Sequence, residues 1–148
     1  MSDRVFSSDA LRFAKNIYDT PKGRIRQAVL QADLAFLRNQ SPDVLDIGAG
    51  LGQINQWLAE GGARVTHVDA SADMVHEAQR RHAEAGLAAS YSYQVAPLQN
   101  LTSLEKQYDV VLCHAVLEWL DNPFQAIAIA FSRLKPGGWL SLMFYNRH

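Results

Sequence analysis

The sequence holds a single cysteine, Cys113, so no disulfide can close within one chain, and a reducing, cytoplasmic setting is the default expectation. No apolar run reaches the roughly 18 residues that a membrane-spanning helix needs. The opening Met1-Ser2-Asp3-Arg4 is not that of a secretion signal. No His, Cys, Asp or Glu cluster has metal-ligand spacing, so no metal is expected. Neither a G-x-S-x-G elbow nor a Cys/His pattern points to a hydrolase. Internal repeats, low-complexity segments and interdomain linkers are lacking as well. What remains is 148 residues, 48% apolar and 20% charged, the make-up of one globular domain long enough for a real core.

Net charge is only −1, but it is unevenly spread. Residues 1–26 carry six basic groups against three acids, a balance of +3, which leaves −4 on the remainder. A basic end can face nucleic acid, and a pair of solvated helices explains the charge equally well.

The chain is organised around Val44-Leu45-Asp46-Ile47-Gly48-Ala49-Gly50-Leu51-Gly52. Val44, Leu45 and Ile47 form an apolar run of buried-strand length, and Gln53–Glu60 reads as a helix after the glycines. Glycine accepts unusual turn dihedrals and lets a ligand touch the backbone. The free N–H groups and positive dipole end of the helix favour an anionic group there. A dinucleotide fingerprint would read G-x-G-x-x-G over a pyrophosphate. Here the spacing is G-x-G-x-G (Gly48, Gly50, Gly52), with the acid Asp46 two residues before the first glycine. An anion at the strand end would repel a pyrophosphate but suit a ligand carrying an ammonium. This turn resembles the first motif of the class I S-adenosylmethionine (SAM) methyltransferases, a resemblance that puts Asp46 opposite the methionine amino group. The plainer alternative is a tight turn that holds nothing.

Ser7 or Ser8 is expected to cap a helix running to about Tyr18. Thr20-Pro21 restarts a helix on which Ile25, Ala28, Val29, Ala32, Phe36 and Leu37 recur at helical spacing. These two helices form a flap, residues 1–40, beside a core over residues 41–148. Strands are expected at Val65–Asp69, Tyr91–Val95, Tyr108–Leu112 and Trp139–Tyr145. Ser71 caps a helix reaching Gly86, and Ala96–Lys106 reads as a loop. Asn122-Pro123 opens a helix with Phe124, Ile127, Phe131 and Leu134 on one side, stopped by Lys135-Pro136-Gly137-Gly138. Pro136-Gly137 fits the middle of a type II turn. The alternation predicts an α/β fold: a doubly wound, mostly parallel, Rossmann-like sheet preceded by two helices, with its ligand beyond the strand C-terminal ends.

Asp69, ending the second strand, suits hydrogen bonds from both ribose hydroxyls of an adenosine, or else a helix N-terminus, a place Asp73 fills better. His114 and Glu118 follow the fourth strand, where they are either structural or near a reacting group. Cys113 is most simply a small core residue.

Beyond the turn, several strings resemble the bacterial tRNA 5-carboxymethoxyuridine methyltransferases. They are Lys15-Asn16-Ile17-Tyr18, Lys22-Gly23-x-x-Arg26-Gln27, His114-Ala115-Val116-Leu117-Glu118-Trp119 and Leu140-Ser141-Leu142-Met143-Phe144-Tyr145-Asn146. The resemblance runs from Asp3 to the last residue. It implies SAM as cofactor, tRNA as partner and methyl-ester formation at the wobble uridine. It implies that Arg26 reaches the SAM site from the flap, and that Gly48, Ala49, Asp69, Pro97, Leu98 and His114 line it. His114 is the candidate catalytic residue, and the acid that many methyltransferases place near the adenine is missing between Ala96 and Thr102. Family chains continue past the fifth strand, so the resemblance implies an N-terminal portion lacking the family's C-terminal strands. The apolar Trp139–Tyr145 edge would then invite self-association. A methyltransferase for a small molecule and a non-catalytic SAM-binding module remain open, with an NAD-binding domain behind them.

Overall fold

The computed structural model describes residues 20–103, 106–114 and 123–143. The helix expected over Ser7–Tyr18, the pair Glu118-Trp119 and the strand end at Phe144-Tyr145 lie outside the described residues. Five strands form one parallel sheet in the order β3-β2-β1-β4-β5: β1 Asp43–Ile47, β2 Arg64–Asp69, β3 Tyr91–Val95, β4 Tyr108–His114 and β5 Leu134–Met143. β1 lies at the centre, flanked by β2 and β4, and Val44, Leu45 and Ile47 are almost fully buried. This is the doubly wound arrangement expected from the alternation of elements, with strand order reversing beside β1.

Helix α1 (Pro21–Leu34) begins as the sequence predicts. Thr20 accepts a hydrogen bond from the Gly23 N–H at 3.0 Å, and Pro21 takes the first helical position. Of the expected face only Leu37 is buried, and the rest of the packed face is different. Gly23, Leu30, Leu34 and the following Leu37 are buried, whereas Ile25 and Val29 are 66% and 51% exposed. Two apolar stripes run along this helix, and the leucine stripe buries more side chain against α2 (Gln53–Glu60) and the sheet.

Helices α1 and α2 cover one face of the sheet, over Val44, Val65, Val110 and Leu112. Helix α3 (Ala72–Glu84), capped by Ser71, lies on β2 and β3, with its His82 ring stacked 3.9 Å from that of Tyr91. The opposite face packs Leu45, Ile47, Val68, Val111 and Cys113 against α4 (Pro123–Ser132). The segment after β3, expected as a loop, contains a 3₁₀ turn, Leu98–Ser103, whose Leu98 and Leu101 enter that core.

On α4 the expected face packs only in part: Ile127 is half-buried against the core, as is Leu134, which belongs to β5. Ala126, Ile129 and Ala130 face the sheet, while Phe124 and Phe131 are 82% and 68% exposed. Alanines let the helix approach closely, and phenylalanines would hold it off. The helix ends at Ser132, and β5 starts at Leu134, before the Pro-Gly pair. Leu134 pairs with Tyr108, and pairing resumes at Trp139 with Val110, so Lys135–Gly138 bulges out of the strand. Gly137 has φ +80°, as the second central position of a type II turn requires. No helix among the described residues is long and apolar enough to cross a membrane.

Candidate functional site

The glycine turn sits at the C-terminal end of β1 and is sewn to β2. Gly48, Gly50 and Gly52 all have positive φ, at 63°, 58° and 72°. Ala49 N–H donates to the Val68 carbonyl at 2.9 Å. The Gly50 peptide is held on both sides: its N–H donates to Asp69 Oδ2 at 2.9 Å, and its carbonyl lies 3.1 Å from His67 Nε2. At Gly52 a Cβ would fall 2.8 Å from both the Asn55 side chain and the His67 ring, so the turn closes over side chains from beneath. Leu51 is buried, anchoring the turn in the interior.

Beneath the turn lies a polar floor. Asn55, in the first turn of α2, donates to Asp46 Oδ2 at 2.8 Å and to His67 Nδ1 at 3.1 Å. Its Oδ1 accepts from the Tyr91 hydroxyl at 2.6 Å. His67 therefore accepts at Nδ1 and donates at Nε2 to Gly50, a neutral tautomer. Burial pushes its pKa down to about 4, and nearby His82 adds to that, against the pull of the Gly50 carbonyl. His82 is also buried and pushed to about 4; its Nδ1 meets the Tyr93 hydroxyl at 2.7 Å. Asp46 is 3% exposed, and burial raises its pKa to about 7, opposed by the Asn55 bond and assisted by the Asp69 charge.

Asp69 uses one carboxylate oxygen for Gly50 and the other, at 2.9 Å, for the Ser71 N–H. Burial raises its pKa, against those two bonds. Each oxygen keeps a second lone pair. The Asp69 carbonyl accepts from Ala96 N–H at 3.0 Å, which brings Pro97 and Leu98 to the same end of the sheet; Pro97 is exposed and Leu98 buried.

His114, ending β4, pairs its Nε2 with Ser141 Oγ of β5 at 2.8 Å. Its Nδ1 is sealed from solvent and has no hydrogen-bond partner among the described residues. Burial lowers its pKa to about 4, helped by the positive charge of Arg26. His114 stands at the end of the sheet where the glycine turn lies, and Arg26 is carried by α1. Cys113 faces the core, with its thiol pushed up to about 12 by burial. Among the described residues no group of three or more His, Cys, Asp or Glu is placed to hold a metal ion.

Asn55, His67, Tyr91 and Ser141 were not singled out by sequence reasoning. His67 left one signal, an imidazole between the apolar Val65 and Val68 of a strand. Nothing in the sequence pairs Asn55 with Tyr91, 36 residues away.

Residues 45–142 match a family model described as a methyltransferase domain. The chain is 41% identical, over 100% of its length, to tRNA 5-carboxymethoxyuridine methyltransferase of Escherichia coli (strain K12), of which it spans 59%. It is 32% identical to ubiquinone biosynthesis O-methyltransferase of Bordetella avium (strain 197N), over 74% of this chain and 45% of the relative. Magnesium protoporphyrin IX methyltransferase from Synechocystis PCC 6803, solved with bound SAM, has a TM-score of 0.63 at 26% identity, covering 74% of this chain and 55% of that one. N-methyltransferase NodS from Bradyrhizobium japonicum WM9, solved with S-adenosyl-L-homocysteine (SAH), has a TM-score of 0.69 at 24% identity, covering 86% and 64%. The resemblance drawn from the motifs and the observed strand order thus agree: the chain belongs to the methyltransferase domain family and has the Rossmann-like fold of SAM-dependent methyltransferases.

Proposed function

We propose that this chain is the SAM-binding part of a methyltransferase acting on the carboxylate of 5-carboxymethoxyuridine at the tRNA wobble position. The observation that carries this reading is the 41% identity to the E. coli tRNA enzyme across the whole chain, flap and β5 included. SAM as cofactor is supported by the family match and by the SAM and SAH bound in structural neighbours. Gly48, Ala49, Gly50 and Gly52 would cradle the methionine part, with Asp46 supplying negative charge from beneath. Asp69 would take the ribose hydroxyls on its spare lone pairs, and Pro97 with Leu98 would border the adenine. Arg26 and His114 would stand near the transferring methyl.

The chemistry asks little of a base. A carboxylate oxygen of the acceptor attacks the sulfonium methyl, the C–O bond forms as the C–S bond breaks, and the electron pair stays on sulfur. No proton moves, because the acceptor is already ionised at neutral pH. Alignment and exclusion of water then carry the rate. A neutral His114 and the Arg26 cation suit that task.

The test is calorimetric titration with SAM, SAH and NAD, followed by methyl transfer to wobble-modified tRNA. SAM and SAH should bind and NAD should not; comparable affinity for NAD would overturn the glycine-spacing argument. Asp69→Ala should weaken SAH by about 1.5–3 kcal/mol, the scale of hydrogen bonds to a charged group. Arg26→Ala should also lower SAH affinity. A small-molecule acceptor is the second reading, favoured by the O-methyltransferase relative, and transfer to a free acceptor but not to tRNA would select it. Binding without transfer to either would select a SAM-binding module. Self-association along the outer edge of β5 belongs to the same proposal and is measured by light scattering.

A further inference from the structure

The hydrogen bonds of the polar floor beneath the glycine turn have a fixed direction. The Gly50 carbonyl can only accept, so His67, 3.1 Å away, carries its proton on Nε2 and offers a lone pair at Nδ1. Asn55 must therefore turn its amide nitrogen toward His67, and the second N–H of that group reaches Asp46 Oδ2 at 2.8 Å. Its Oδ1 is left facing β3, where it accepts from the Tyr91 hydroxyl at 2.6 Å. A reversed amide would set an oxygen against both the Asp46 carboxylate and the His67 lone pair. Tyr91 is itself held in place: it is in register with Val65 of β2, and its ring stacks on those of His82 at 3.9 Å and Tyr93 at 5.4 Å. Among the described residues Asn55 is the one hydrogen-bond donor to Asp46, and it engages a single carboxylate oxygen.

Resting on the methyltransferase reading above, we propose that Tyr91 is a positioning residue for the cofactor site. Its hydroxyl holds the Asn55 amide, and the amide holds Asp46 Oδ2, which leaves Oδ1 for the ammonium of the cofactor's methionine part. The last torsion of an aspartate is broad, so an unpinned carboxylate has no preferred direction. Asn55 pins it, and Asn55 is wholly buried, so its own oxygen needs a partner. Tyr91 supplies that partner from β3, two strands away from β1. The same amide sets His67 under the Gly50 carbonyl, so one group aligns both the acid and the turn. Without the hydroxyl, Oδ1 becomes a buried acceptor with nothing to accept, and the amide can satisfy it only by turning away from Asp46 and His67. The charge of the site is then the same, but its direction is lost.

The experiment titrates the full chain with SAH, which carries the ammonium, and with methylthioadenosine, which lacks the amino-acid part. Tyr91→Phe removes only the hydroxyl. It should weaken SAH about tenfold, as when one hydrogen bond to a charged group is disturbed, and leave methylthioadenosine unchanged. Asp46→Asn should weaken SAH as well. Adding Tyr91→Phe to Asp46→Asn should then cost nothing more, because a residue that acts through Asp46 is silent once that charge is gone. Additive losses, equal losses for both ligands, or no loss would overturn the positioning role. Long-range ¹H–¹⁵N correlation on the wild type, with the ring assigned through His67→Gln, tests the direction of the hydrogen bonds whatever the Tyr91 variant does to folding. Hydrogen on His67 Nε2 is expected; hydrogen on Nδ1 would overturn the role, because Asn55 would then present its oxygen to the ring. A wild-type chain that binds neither ligand would sink the methyltransferase reading, and the positioning role with it.

Discussion

Asn55 uses its whole side chain on three partners, Asp46, His67 and Tyr91, and has no solvent contact. Replacing it with alanine would strand three buried polar groups at once. Asn55→Ala should lower unfolding stability by about 2–3 kcal/mol in urea melts, because buried donors and acceptors without partners are costly. A variant as stable as the wild type would mean that the floor of the turn can rearrange. Gly52→Ala tests the same floor from above. The left-handed conformation alone costs about 1–2 kcal/mol for a residue with a Cβ. The 2.8 Å approach to Asn55 and His67 adds to that. Both substitutions should also weaken SAH binding in the same titrations, since the Gly50 peptide depends on His67 for its orientation.

Among the elements, α4 shows how small residues choose a packing face. Ala126 and Ala130 have no exposure, and Phe131 is largely in water. Ala130→Leu should therefore destabilise by about 1–3 kcal/mol through overpacking. Phe131→Ala should stay within about 0.5 kcal/mol, as surface changes do. The reverse ranking in thermal melts would show that the phenylalanine face is the packed one. In β5 the bulge over Lys135–Gly138 lets the strand restart in register with β4, which is what brings Ser141 within reach of His114.

For the molecule as a whole, buried titrating groups set the response to pH. His67, His82 and His114 fall from an ordinary 6.5 to about 4. A histidine whose pKa is depressed by folding contributes stability that is present above 6.5 and is lost as pH falls toward 4. Asp46, raised from 3.8 to about 7, works in the other direction: its contribution is complete at low pH and is lost as pH rises through about 7. Asp69, raised as well, acts in the same sense as Asp46. Between about 4 and 6.5 three imidazoles oppose two carboxyls, so the ligand-free chain should lose stability on acidification. Asp46→Asn should steepen that loss and His67→Gln should flatten it, read from urea midpoints across the window. A flat wild-type profile would contradict the burial of these rings.

Local chemistry determined the framework. The period of the apolar residues, the Thr20-Pro21 and Ser71 starts, and three glycines after an apolar strand are short-range features, and each is settled within a few residues of chain. That is why the βαβ order, the turn and the methyltransferase resemblance could all be read before any contact was known. The tertiary structure decided what depends on distant partners. Ile25 and Val29 have the same helical spacing as Leu30 and Leu34, and only the shape of the sheet chose between the two stripes. Asp69 looked like a ligand group, and the fold showed that it also ties the Gly50 and Ser71 N–H groups to the end of β2. His114 was visible in the sequence, but its partner Ser141 lies 27 residues away, and only the register of β5 on β4 brings the two together.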